Sequence, residues 1–193
     1  MGKLYGSTCY LIGAMDRVPD GGIEWREWIT PKLHKLGTMV FNPCNKPVND
    51  PRLRESPEDR ERRKIAKERC DYSVLEEGRE IRNIDLEMVD HSSYIICNLD
   101  IDVHACGTYE ELFWANRCKK PVLVHCNQGK KMAPDWLFWT LPHQHIFSNW
   151  DDLFAHLEYV NVKGNDETDR WTIFDMSKEI EAIRKYKIEQ EIS

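Results

Sequence analysis

Hydrophobic positions along the chain gather into short runs separated by longer amphipathic stretches, and the two kinds alternate from end to end. Thr8 to Met15 (TCYLIGAM) is an apolar run of strand length that ends in small residues, and Thr38 to Asn42, Tyr94 to Leu99, Pro121 to Cys126 and Ile146-Phe147 repeat the theme. Between them the spacing turns helical. Ile23, Trp25, Trp28, Ile29, Leu33 and Leu36 form one such set, with Pro31 inside it and Gly37 as the stop. Ile81, Ile84, Leu86, Met88 and Val89 make a stripe between Glu80 and Ser92, and Leu112, Phe113 and Ala115 continue a helix opened by Gly107-Thr108. Asn149 caps a further helix that runs to Tyr159. With right-handed crossovers the rule, this order predicts an α/β protein: an open parallel sheet covered by helices on both faces.

Two stretches depart from the pattern. Asn49 to Gly78 is charged, poor in large apolar residues and carries Pro51 and Pro57, so it reads as an insertion, either a lid or a plain solvated helix. Its basic run Arg52 to Arg69 also holds five acids, as an exposed salt-bridged helix does. Near the C-terminus, Met176 to Glu191 forms a charged helix with a partial stripe at Ile180, Ile183, Tyr186 and Ile188. The expected organisation is one domain over 1–160 and a helical extension over 161–193.

Composition narrows the function. A net charge of −6 over 193 residues argues against binding to a nucleic-acid backbone, which needs a basic face. No apolar run approaches the ~20 residues of a membrane span, and the N-terminus lacks a signal-peptide core, so a cytoplasmic protein without membrane contact is expected. The seven cysteines are scattered and include no CxxC, which suggests reduced thiols. His143-x-His145 and His125-Cys126 lack partners at standard ligand spacing, and no metal site is expected.

Candidate chemistry concentrates after the run at Tyr94 to Leu99. In an open α/β sheet ligands sit beyond the carboxyl ends of the strands, which is where Asp100, Asp102 and Glu111 fall. Glu111 has a second reading, because Thr108-x-x-Glu111 is a capping-box pattern in which both side chains would serve the helix end. Gly13 and Ala14 would let a ligand approach the first strand closely. Asp85 lies beside an apolar stripe, where a carboxylate either bonds nearby backbone or points into a pocket. The aromatic stretch Trp136 to Trp139 suits packing against the sheet or a subunit partner.

Taken together, Tyr10-Leu11-Ile12-Gly13-Ala14-Met15, Asp85 ahead of the central strand and Gly107-Thr108-x-x-Glu111-Leu112-x-x-Ala115 resemble the nucleoside 2-deoxyribosyltransferase family, which includes related nucleotide N-glycoside hydrolases. The resemblance covers roughly Thr8 to Phe154 and implies a flavodoxin-like open parallel sheet. It further implies that Glu111 attacks the anomeric carbon, that Asp85 places nucleophile and sugar, and that an acid in the following loop, Asp102 or Asp100, handles the leaving base. Gly13, Ala14, Gly107, Thr108 and Asp100 would contact the substrate, and Met15 and Trp28 would be base-packing walls or core. The 5′-phosphate of a nucleotide would fall to Arg82 or to a residue of the basic insertion. The chemistry needs no cofactor, since carboxylates stabilise an oxocarbenium-like transition state and a second acid protonates the base. The implied partners are a nucleoside or nucleotide, possibly a free base, and further copies of the chain in a homo-oligomer. Two alternatives remain open: a catalytically silent nucleotide-binding protein, and cleavage of the nicotinamide glycosidic bond of a dinucleotide.

Overall fold

The computed structural model describes residues 2–50, 53, 56–174 and 176–192. Five parallel strands, β1 (Thr8–Gly13), β2 (Met39–Phe41), β3 (Tyr94–Leu99), β4 (Val122–Cys126) and β5 (Ile146–Phe147), form one sheet in the order β2-β1-β3-β4-β5. The parallel α/β sheet expected from the alternating pattern is therefore present. The strand order reverses between β1 and β3, which pair from Cys9↔Tyr94 to Gly13↔Asn98, and this switch point opens a crevice beyond their carboxyl ends.

Side-chain alternation along the central strands builds two cores. Tyr10, Ile12, Ile95 and Cys97 face α3 (Glu77–His91) and α4 (Cys106–Arg117), where Met88, Val89, Leu112 and Ala115 meet them. Cys9, Leu11, Tyr94 and Ile96 face the other way, against Ile29 and Leu33 of α1 (Ile23–Lys35) and Leu153, Leu157 and Val160 of α6 (Trp150–Lys163). Both faces being covered explains why these strands read as unbroken apolar runs. All seven cysteines are free.

The termini of the elements move in informative ways. β1 ends at Gly13, where a Cβ would stand 2.9 Å from the Asn98 carbonyl oxygen, and Ala14 and Met15 belong to the loop. The insertion contains α2 (Pro57–Glu68), with Ser56 accepting from the Asp59 N–H and Pro57 opening the first turn. Helix α4 begins at Cys106, two residues ahead of the expected cap, and its cap position is Ala105, which offers no side-chain bond. The capping-box reading of Thr108 and Glu111 is thereby overturned: Thr108 lies buried inside the first turn, and Glu111 lies in the second. The short α5 (Asp135–Thr140) leaves Trp136 and Trp139 exposed, and α7 (Ser177–Ile192) ends the chain. Among the described residues no helix is long and apolar enough to cross a membrane.

Candidate active site

A pocket of about 460 Å³ lies at the switch point, walled by the loop after β1, by α3 and by the N-terminal turn of α4. Gly13, Ala14 and Met15 line it from β1 and its loop, Asp85 from α3, and Gly107, Thr108 and Glu111 from α4. The structure thus brings together seven residues singled out from the sequence. The first N–H groups of α4 have no intrahelical partners and end at this pocket. Gly107 leaves open space where a side chain would stand.

Glu111 is set into the pocket floor. Tyr10 projects from β1 towards α4, and its hydroxyl donates to Glu111 Oε1 at 2.6 Å. Burial pushes the Glu111 carboxyl up to about 8; the Tyr10 hydrogen bond opposes this, the neighbouring Asp85 charge adds to it, and Arg26 and Lys46 oppose it from further off. Burial thus works against the ionised form that a helix N-terminus favours, and attack by this carboxyl requires the loss of its proton first. Burial, with the charges of Glu111 and Asp85, also holds the Tyr10 phenol well above its ordinary range.

Asp85 resolves its two readings by facing the pocket. Lys46, in the loop after β2 and with a side chain sealed from solvent, meets Asp85 Oδ1 at 2.7 Å. Arg26, fully buried in α1, donates to the carbonyl oxygens of Gly22 at 2.7 Å, Gly13 at 3.0 Å and Leu11 at 3.3 Å, which fixes the turn that follows β1. Sequence reasoning missed Tyr10, Arg26 and Lys46 as functional groups. Tyr10 hid within an apolar run; Arg26 and Lys46 are charges whose burial only the tertiary packing reveals.

Asp100 and Asp102 are not among the residues that line the pocket. Gln128 Nε2, in the loop after β4, donates to Asp100 Oδ1 at 2.6 Å and to Asp102 Oδ2 at 3.0 Å, and the Asp102 N–H bonds Asp100 Oδ1. Partial burial would raise the Asp100 carboxyl, but these donors and Asn127 hold it below its ordinary value. Proximity in sequence to Glu111 suggested otherwise; a turn at the end of β3 directs both acids sideways, towards the loop after β4. Val103, His104 and Ala105 of the same loop reach the pocket instead. Trp28 also lies elsewhere, against Trp150 and Phe154 of α6 and 43% exposed, so neither its base-wall reading nor its core reading holds.

Towards the mouth the lining carries three guanidinium groups together with the carboxylates of Asp16 and Glu110. Arg17 follows β1, Arg82 stands on α3 one turn outward from Asp85, and Arg63 reaches in from α2 of the insertion. Arg82 is paired with Glu110, its Nε donating to Oε2 at 2.8 Å. Through Arg63 the insertion contributes to the site wall, while α2 itself is largely solvated, with Ala66 as its buried residue.

No protein-family model matches the chain, and no curated protein matches it by sequence. Solved structures do. A 2-deoxyribosyltransferase from Bacillus psychrosaccharolyticus aligns over 88% of this chain and 100% of its own, with 16% identity and a TM-score of 0.53. A 2-deoxyribosyltransferase from Leishmania mexicana aligns over 78% of this chain and 96% of its own, with 17% identity and a TM-score of 0.52. A CMP N-glycosidase from Clostridium botulinum aligns over 79% of this chain and 98% of its own, with 16% identity and a TM-score of 0.43. The fold is thus the flavodoxin-like one of the 2-deoxyribosyltransferases, as the sequence motifs implied.

Proposed function

We propose that the chain cleaves the N-glycosidic bond of a 2′-deoxynucleoside 5′-monophosphate, forming a covalent deoxyribosyl ester on Glu111 and passing the sugar to a second base or to water. The observation that carries this reading is the Glu111 carboxyl at the pocket floor, oriented by the Tyr10 hydroxyl and flanked by the Asp85–Lys46 pair. A carboxylate fixed in a largely water-free wall is suited both to attack C1′ and to stabilise the positive charge that develops there. Asp85 anchors the sugar, and its charge adds to the burial that raises the Glu111 carboxyl.

The attacking form is ionised, so the proton that Glu111 holds near neutrality has to leave before the ester bond forms. The departing base separately needs a proton at its glycosidic nitrogen. His104 is assigned this role, because it lines the pocket from the loop just ahead of α4 while Asp100 and Asp102 are bound to Gln128. Replacing His104 by Ala should slow release of an ordinary base at least tenfold and leave an N7-methylated purine, which departs without a proton, nearly unaffected. Equal losses on both substrates would remove His104 from the role.

The preference for a monophosphate over a nucleoside is supported by the arrangement along α3. This helix starts beyond the carboxyl ends of the strands and runs back towards the start of β3, so at about 1.5 Å per residue Arg82 stands roughly one turn nearer the mouth than Asp85. Arg17 and Arg63 line the same pocket. Carboxylates at the floor and guanidinium groups outward match a nucleotide bound with C1′ inward and phosphate outward.

The deciding experiment is chromatographic. Each deoxynucleoside and each monophosphate is incubated with the protein, with and without a second free base. Base release from a monophosphate without acceptor identifies a hydrolase, and a new nucleotide formed only with acceptor identifies a transferase. Thermal stabilisation by a nucleotide with no turnover on any substrate would favour the silent-binder alternative.

A further inference from the structure

Away from the pocket, on the far side of the sheet, three side chains converge that the proposed chemistry does not use. His145 lies just before β5, His156 on α6 and Asp166 in the segment after α6. One ligand atom from each lies within 4.8 Å of the others. His145 is fully buried, and the side chains of Asp166 and His156 are only 6% and 15% exposed, so this is an interior cluster rather than a surface group of acids.

Its hydrogen bonding is lopsided. Thr168 donates to Asp166 Oδ1 from both its N–H and its hydroxyl, and Trp171 Nε1 donates to Oδ2 at 2.7 Å. His145 Nε2 approaches Oδ2 at 2.6 Å and must carry its proton there, since an ionised carboxylate only accepts. His156 Nε2 lies 3.1 Å from the same oxygen, yet it is buried without a hydrogen bond. Its ring nitrogen is thus directed at an anion already supplied with donors; a proton on Nε2 would satisfy the pair, and so would a cation held between the second nitrogen and the carboxylate.

We propose that His145, His156 and Asp166 form a binding site for one divalent transition-metal ion, coordinated through the two Nε2 atoms and Oδ2. Two imidazoles and one carboxylate suit Zn2+ and its neighbours rather than Ca2+ or Mg2+. Burial lowers the proton affinity of both histidines, which favours the neutral form that ligates metals, and Asp166 stays ionised. Thr168 and Trp171 supply the outer donors that orient a ligating carboxylate. With metal–ligand bonds of about 2.0 Å in tetrahedral array, neighbouring ligand atoms sit roughly 3.3 Å apart. The His156 contact is close to that already, and Asp166 has to withdraw from His145 by about 0.7 Å. Binding moves the His145 proton from Nε2 to Nδ1, a buried atom without a hydrogen bond, so that a neutral imidazole ligates, and it leaves a coordination position for water. The ion's role is structural: it ties the segment after α6, which leads to α7, to the edge of the sheet.

The test uses the full chain without an affinity tag, stripped with EDTA and titrated with Zn2+ or Co2+ at pH 7.5. The expected result is one ion per chain by elemental analysis, a rise in Tm, and visible Co2+ bands without the intense near-ultraviolet absorption of a cobalt–thiolate bond. His156→Gln should weaken binding at least tenfold and abolish the Tm gain. A folded chain that takes up no stoichiometric ion would overturn the proposal and leave a hydrogen-bonded cluster that needs no metal. Thiolate bands, placing the ion on cysteines, would overturn it equally, as would unchanged affinity in a folded His156→Gln. Should His156→Gln fail to fold, the Co2+ spectrum of the unaltered chain still decides.

Discussion

Glu111 is where burial and reactivity oppose one another. Its neutral form is favoured by the packing around it, while attack on C1′ needs the anion, so with an N7-methylated purine, which needs no proton from His104, kcat/KM should rise with pH through an apparent pKa near 8, the value to which burial and Asp85 raise the free carboxyl. Tyr10→Phe removes the hydrogen bond that favours the ionised form. Its pH–rate profile should therefore shift to higher pH, and its rate at pH 7 should fall several-fold with the fold intact; an unchanged profile would leave Tyr10 with a packing role only. Glu111→Gln should abolish turnover. The Lys46–Asp85 contact gives a prediction of stability: Lys46→Met removes a buried cation from beside a partly buried carboxylate, and denaturant unfolding should show a clear loss. Of these four groups the sequence singled out the two acids through the family resemblance, since pattern alone left Glu111 a capping reading and Asp85 a backbone one. Tyr10 and Lys46 carry no local signature, and their roles exist only where β1 and the loop after β2 come alongside α3 and α4.

At the scale of elements, caps separate what local sequence determines from what it does not. Ser56 and Asn149 sit at true helix starts and accept from the N–H three residues on, so replacing Asn149 by Ala should cost about 1 kcal/mol in thermal or denaturant unfolding. Thr108 matches the same sequence rule but lies inside α4, so Thr108→Ala should show no loss of a cap. Its cost is that of trimming a buried side chain. The pattern TxxE was legible and misleading, since α4 starts where β3 delivers the chain to the crevice rather than where the best capping residue stands. The charged insertion shows the converse: its polarity was legible, but the delivery of Arg63 to the pocket depends on how α2 lies against the crevice.

For the whole molecule, buried titratable groups set opposing slopes of stability with pH. The Glu111 carboxyl titrates near 8 when folded and near its ordinary 4.5 when unfolded. Between these values the unfolded chain has released a proton that the folded chain keeps, so this group makes stability fall as pH rises through that window. His145 and His156 have folded values below the ordinary 6.5, mainly through burial, so on acidification below 6.5 the unfolded chain takes up protons first and stability falls. Tm should thus decline from pH 6.5 to pH 8 in the natural chain and stay nearly level in Glu111→Gln, making the inactive variant the more stable of the two at pH 8. Parallel curves for the two proteins would mean that Glu111 is ionised in the folded state.

By itself the sequence determined the class of fold and the order of its elements, because apolar runs and helical stripes are local periodicities that the backbone obeys wherever it lies. It also marked Glu111 and Asp85, whose spacing from the central strand survives folding unchanged. Only the tertiary structure decided which groups meet. It turned Asp100 and Asp102 away to Gln128, placed Tyr10 and Lys46 against the two acids, and gathered His145, His156 and Asp166 from separate elements. The physical reason is that burial and proton affinity belong to an environment, and an environment is assembled from residues whose distance along the chain says nothing about their distance in space.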